Sequence, residues 1–272
     1  MRRIYIWWAS LCLLWLLPLS LQSQCAVTNT AFRAGERIEY TLYFNWKFVW
    51  AKAGKAELTT TSTQYAGQPA YRIDLLAVGS KRADMFFKMR DTLTAIVSHR
   101  LEPLSFRKAA EEGKRFTVEN VQFSYANGQT HVNQRRTYRD GEIKDSRHTD
   151  SRCVYDMLSI LARARSFRAE DYAVGQKIVF PMTTGTAVED QTLIYRGKDV
   201  VKAEDGLKYR CVVFSLVEYT ARGKEREVIT FFVSDDDNHL PIRLDLFLNF
   251  GSAKAFLNRV SGHRHPLHSQ QK

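Results

Sequence analysis

The sequence predicts a mainly β protein: an antiparallel curved sheet or open, barrel-like fold with one main α-helix. Three observations predict it. Tyr40, Leu42, Phe44, Trp46, Phe48 and Trp50 alternate with Thr41, Tyr43, Asn45 and Lys47, a period of two sustained over eleven residues. Further strand-like runs follow at short intervals, separated by turn dipeptides. Only one stretch carries the three-and-four spacing of a helix.

The N-terminus reads as an address. Arg2 and Arg3 precede an apolar run from Ile4 to Leu21, followed by the polar exit Gln22-Ser23-Gln24. This is the pattern of a signal peptide over 1–24, with cleavage somewhere in 22–25. The run approaches the length of a membrane span, but Pro18 and the polar exit favour removal. Cys25 raises lipidation as a weaker alternative, because Gln24 stands where a lipobox wants a small residue.

Beyond the leader a single β-rich domain is expected over 25–262. Tyr71, Ile73 and Leu75 alternate with polar residues, and 93–97 is rich in Thr, Ile and Val. The strand 116–125 ends at Asn127-Gly128, and 131–138 leads into Asp140-Gly141; both dipeptides supply positive φ for hairpins. The helix is placed near 151–166, capped by Asp150 or Ser151, with Val154, Met157, Leu158 and Leu161 on one face. Arg163, Arg165 and Arg168 suit its C-terminal end. Later strands cover 178–180, 191–196, 209–219, 228–234 and 242–250. The last ten residues, 263–272, read as a flexible tail containing His263, His265 and His268.

The chain also suggests a pseudo-repeat of 32–110 in 172–250. Phe32-Arg33-Ala34-Gly35-Glu36-Arg37-Ile38 resembles Tyr172-Ala173-Val174-Gly175-Gln176-Lys177-Ile178 in kind, and Leu101-Glu102-Pro103 finds Leu240-Pro241. Each half would open with a glycine turn and later pass through a Phe-Phe strand, an acidic turn and a proline.

Charge narrows the partner. The chain carries 40 Lys+Arg against 29 Asp+Glu, a net charge of +11. Loss of the leader takes two arginines and no acid, leaving +9. An exported protein rarely meets chromosomal DNA, so nucleic acid is not expected. Lipid, lipopolysaccharide or glycan are the expected partners, with peripheral contact to the envelope. Oligomeric state is open.

No catalytic signature stands out. There is no G-x-S-x-G elbow, Walker A or G-x-G-x-x-G, so no catalytic residue, cofactor or metal is assigned. The acidic turn at Asp235, Asp236 and His239 is a candidate acidic site, against the plainer reading of an Asp/Asn-rich structural turn. Cys153 and Cys211 are a candidate disulfide. Tyr43, Phe44, Trp46, Lys47 and Trp50 form a candidate ligand-binding row, with core packing as the competing role.

Ala31-Phe32-Arg33-Ala34-Gly35-Glu36, Tyr43-Phe44-Asn45-Trp46-Lys47-Phe48 and Cys153-Val154-Tyr155-Asp156-Met157 resemble the bacterial domain-of-unknown-function family 3108 in its Bacteroidetes-type form. Val188-Glu189-Asp190-Gln191-Thr192 and Asp235-Asp236-Asp237-Asn238-His239-Leu240-Pro241 extend the likeness over nearly the whole chain after the leader. The resemblance implies an exported, mainly β protein of the periplasm or outer envelope, and brings no reaction with it. The expectation is therefore a non-catalytic binder or carrier of an amphiphile. A glycan or peptide hydrolase using the 235–239 turn, or a structural subunit of an envelope assembly, are the alternatives.

Overall fold

The computed structural model describes residues 25–271 apart from 47, 48, 86, 249 and 250. The signal-peptide reading of 1–24 and the candidate Lys47 lie outside the described residues, as do the side chains of Trp46 and Phe48.

The architecture is one continuous antiparallel sheet made of two meanders. The first comprises β1 (Arg37–Trp46), β2 (Val49–Tyr65), β3 (Gln68–Gly79), β4 (Met89–Ser98), β5 (Pro103–Glu112), β6 (Arg115–Ala126), β7 (Gln129–Tyr138) and β8 (Ile143–Asp150). The one α-helix among the described residues, α1 (Met157–Ala164), follows. The second comprises β9 (Lys177–Thr183), β10 (Val188–Lys202), β11 (Lys208–Tyr219), β12 (Glu225–Ser234), β13 (Pro241–Leu248) and β14 (Gly251–Ser261). The order across the sheet is β8-β7-β6-β5-β4-β3-β2-β1-β14-β13-β12-β11-β10-β9, so β1 and β14 join the meanders. A two-residue strand, β15 (Gln270–Gln271), pairs β11.

The sheet curls until its ends approach. At the far end of β9, Thr183 donates to Gln134 of β7, and Arg136 donates to the Thr184 carbonyl. The edge of β9 is partly covered by Tyr155, whose backbone exchanges bonds with Pro181 and Thr183 at 3.0 and 2.8 Å. Barrel-like closure is thus made by side chains and one short bridge rather than by a continuous ladder, and it shields backbone groups that an open edge would expose.

The two meanders carry the same wiring at equivalent places. The Gly35 N–H donates to Thr60 O and the Thr60 N–H to Glu36 O, at 2.8 and 2.9 Å; Gly175 and Gln176 make the same pair of bonds with Tyr195, at 2.8 and 3.1 Å. Both glycines sit at positive φ, +93° and +87°, which any Cβ would resist. At the later corner, Ser98 exchanges bonds with Glu102 just before Pro103, and Ser234 exchanges them with Leu240 just before Pro241.

Four expectations are corrected. The alternation from Tyr40 to Trp50 is two strands, with β1 ending at Trp46 and β2 starting at Val49. Asn45 pairs Trp50 and Phe44 pairs Ala51 across this hairpin. A two-residue reversal keeps apolar alternation going while exchanging which parity faces inward, so Trp50 leaves the row that contains Phe44. The helix is half the expected length, and its cap is Asp156, not Asp150 or Ser151. Asp156 Oδ1 accepts from the Leu158 and Ser159 N–H groups at 2.9 and 3.0 Å, and Ser159 Oγ accepts from the Asp156 N–H in return.

The disulfide is Cys25–Cys153, not Cys153–Cys211; the Cα atoms lie 5.1 Å apart. Cys153 sits in the irregular approach to α1, beside the N-terminal segment, whereas Cys211 is a buried, free thiol in mid-β11. A sulfur held in a disulfide cannot also carry a thioether lipid, so this pairing and anchoring through Cys25 are mutually exclusive. Finally, 263–271 is not a loose tail. Asn238, fully buried, donates to the His265 and Pro266 carbonyls and accepts from the His265 N–H at 2.8 Å, while buried Ser269 donates to Asp236.

Candidate functional site

The interior of the sheet is not filled. A cavity of about 1210 Å³ runs from the hairpin ends of β1–β2, β3–β4 and β13–β14 to helix α1, which closes the opposite end through Leu158, Leu161 and Arg165. Ala51, Lys52, Arg82, Phe87 and Leu248 both line the cavity and are exposed to solvent, which places the mouth at those hairpins.

The space follows from side-chain size. One wall is built of small residues: Ala51, Ala53 and Ala56 on β2, Ala77 and Gly79 on β3, and Ala253 and Ala255 on β14. Larger apolar groups continue the lining along the sheet, with Leu244 and Leu246 on β13 beside Ala255 and Ala253, then Ile229 and Phe231 on β12 and Phe214 and Leu216 on β11. Side chains this short on one stretch of a curled sheet do not reach the groups across from them, so a void remains where ordinary cores are close-packed.

Polar groups within this lining are few. Asp91 on β4 faces Lys108 and Glu112 on β5, which pair with each other at 3.7 Å. Asp91 Oδ1 is buried without a hydrogen-bond partner. Desolvation, reinforced by the nearby Glu112 carboxylate, pushes the Asp91 pKa up to about 6. At the mouth Arg82 adds positive charge with no acidic partner among the described residues, while Lys52 and Lys254 lie 3.9 and 3.7 Å from Glu204 and Asp245. The arrangement can hold an apolar chain inside and a polar end near the rim.

The floor is fixed by a buried ion pair. Arg165 donates to Glu36 at 2.5 and 2.9 Å and to the Asn238 carbonyl at 3.2 and 2.9 Å, and its guanidinium lies over the Phe32 ring. His239 Nδ1 lies 2.7 Å from the Arg165 carbonyl.

Sequence-predicted candidates are distributed unevenly around this space. Phe44 lines the cavity. Tyr43 borders it, but its hydroxyl donates to Glu204 at 2.9 Å. Trp50 lies under Lys254 in a smaller outer groove shared with Tyr43, Glu204 and Phe256. In the acidic turn Asp235 pairs with Lys198 at 3.0 Å, Asp236 accepts from Ser234, Asn238 and Ser269, and His239 lines the cavity. Asp235, Asp236 and His239 are thus each committed to a different structural partner. No group of His, Cys, Asp or Glu that could hold a metal ion occurs among the described residues.

Asp91, Lys108, Glu112 and the alanine wall went unread in the sequence. The spacing Ala51-Lys52-Ala53 and the alternation Leu244, Leu246, Leu248 were the available signals. They mark strand faces without saying that the faces enclose empty space.

Comparison with known proteins agrees with the architecture. The family described as protein of unknown function DUF3108 matches residues 39–258. The crystal structure of a β-barrel-like protein of domain of unknown function DUF1849 from Brucella abortus is similar, with a TM-score of 0.55 at 9% identity over 85% of this chain and 98% of that one. A Bacteroides fragilis protein described as having a YmcC-like fold gives a TM-score of 0.35 at 8% identity, over 87% of this chain and 100% of that one. No curated protein matches.

Proposed function

The chain belongs to the family described as protein of unknown function DUF3108, and from its cavity we propose that it is an exported binder or carrier of an acyl-chain amphiphile with an anionic headgroup. One observation carries this: an apolar chamber of about 1210 Å³ opening at a basic rim. Ligand pockets ordinarily run from about 300 to 1,000 Å³ and combine an apolar lining with a few placed polar groups. Acyl chains would lie between the alanine wall and Phe214, Phe231, Leu244 and Leu246. A phosphate or carboxylate headgroup would meet Lys52, Arg82 and Lys254.

Export is supported by the leader-like N-terminus and by the Cys25–Cys153 disulfide, which persists in oxidising compartments. Among the described residues no helix is long and apolar enough to cross a membrane.

The test is organic extraction of protein purified from its native envelope, with mass spectrometry of what it releases, alongside binding of a phosphatidylglycerol carrying a fluorescent acyl chain. Wild type is expected to carry and bind acyl lipid. Ala253→Phe, which projects a ring into the chamber, is expected to lose at least tenfold in affinity while keeping its thermal midpoint. A wild-type protein that yields no lipid and binds none would sink the proposal.

A further inference from the structure

The mouth of the cavity is framed by side chains that a soluble rim would not choose. Met85 is 75% exposed, Phe247 47%, Phe87 41%, Trp50 40% and Leu248 40%. They sit on the β3–β4, β13–β14 and β1–β2 hairpins, which are neighbours because β3, β2, β1, β14 and β13 are consecutive in the sheet. Phe116, on the adjoining β5–β6 hairpin, is exposed as well. Large apolar groups gathered at one end of a molecule mark an interaction surface.

Charge says which surface. On the β1–β2 and β13–β14 hairpins Lys52 lies 3.9 Å from Glu204 and Lys254 3.7 Å from Asp245, so these two cations are already partnered, while Lys55 is exposed. On the next two hairpins the acids are already neutralised: Asp84 pairs with Arg90, Glu111 with Lys88 and Glu112 with Lys108. Lys81, Arg82, Lys114 and Arg115 are exposed there with no acidic partner among the described residues. Apolar side chains interleaved with unpaired cations suit an anionic bilayer, where rings and Met enter the headgroup region and the cations meet lipid phosphates.

We propose that the hairpin rim around the cavity mouth docks on an anionic lipid bilayer, placing the opening against the membrane surface. The proposal rests on the carrier reading for its purpose, but not for its geometry, and the two can fail separately.

The experiment is co-sedimentation of the full protein, freed of its leader, with phosphatidylcholine vesicles containing or lacking phosphatidylglycerol. Binding is expected only when the anionic lipid is present and is expected to weaken with salt. Lys81→Gln combined with Lys114→Gln and Arg115→Gln is expected to lower the partition coefficient by roughly tenfold or more. Met85→Ser with Phe247→Ser is expected to weaken it similarly while leaving the salt dependence in place. None of these five residues lines the cavity, so fluorescent-lipid binding is expected to persist in both variants. Ala253→Phe is expected to keep vesicle binding while losing lipid uptake. Equal sedimentation with both vesicle types, or indifference to both sets of substitutions, would overturn the proposal. So would sedimentation-velocity data in which Met85→Ser with Phe247→Ser abolishes a dimer, since a second copy would then be the occupant.

Discussion

Glu36 and Arg165 form a bidentate ion pair, their side chains only 1% and 4% exposed, between the start of β1 and the end of α1. Glu36 and Gln176 occupy equivalent turns, yet only the copy facing Arg165 carries a charge. Removing one partner strands the other in the interior, which typically costs about 3–5 kcal/mol. Glu36→Gln is therefore expected to lower the urea midpoint sharply, and Arg165→Met likewise. The double variant Glu36→Gln with Arg165→Met should lose less than the sum of the two. Strict additivity would mean that the pair is not coupled.

The Cys25–Cys153 bond spans 128 residues. Such a closure contributes about 2–4 kcal/mol, chiefly by restricting the unfolded chain. Replacing both with Ser should lower the thermal midpoint without affecting the sheet signal in circular dichroism. Burial pushes the remaining Cys211 thiol up to about 12. Alkylation should consequently be slow in the native protein and fast in denaturant, which intact mass would report.

Asp156 is fully buried, and its Oδ2 has no partner. Burial outweighs the capping bonds and raises its pKa from 3.8 to about 6. The folded state therefore holds a proton that the unfolded chain has already released. The stabilisation tied to that proton is complete below pH ~4 and is lost as pH rises through about 6, a change of about 3 kcal/mol. Asp156→Asn keeps an oxygen for the cap and removes the titration. The difference between wild-type and variant urea midpoints should change between pH 4 and 6 and stay flat above 7; a flat difference throughout would refute this.

Asp91 should make ligand uptake depend on pH. An acyl chain laid over this carboxyl removes its remaining water, which favours the protonated form beyond its present pKa of about 6. Affinity for fluorescent phosphatidylglycerol is expected to rise about tenfold as pH falls from 8 to 5, one further pKa unit being tenfold. Asp91→Asn should bind with little pH dependence. An unchanged profile in that variant would assign the effect elsewhere.

The β class, the hairpins at Asn127-Gly128 and Asp140-Gly141 and the presence of one helix were all legible, because period two and positive-φ dipeptides are local signals. The Tyr40–Trp50 alternation misled, since a two-residue reversal leaves it intact while exchanging its faces. Cys25 pairs with Cys153 through a closure that no spacing encodes. At Asp235 and Asp236 the sequence left both a structural turn and an acidic site in view, because carboxylates in turns look alike until their partners are known. The cavity was least visible of all: alanine at positions 51, 53, 56, 77, 253 and 255 is ordinary in any strand, and becomes a hollow only once the sheet curls round it.

The β1–β14 seam has a consequence for how the chain comes to its final state. It pairs Arg37 with Ser261, so nearly the whole length must be present before it can zip. Until then β1 is an unpaired edge ready to recruit another chain. Contacts this remote in sequence make for slow folding. A molecule wired this way keeps one side of its first strand open until β14 has been made.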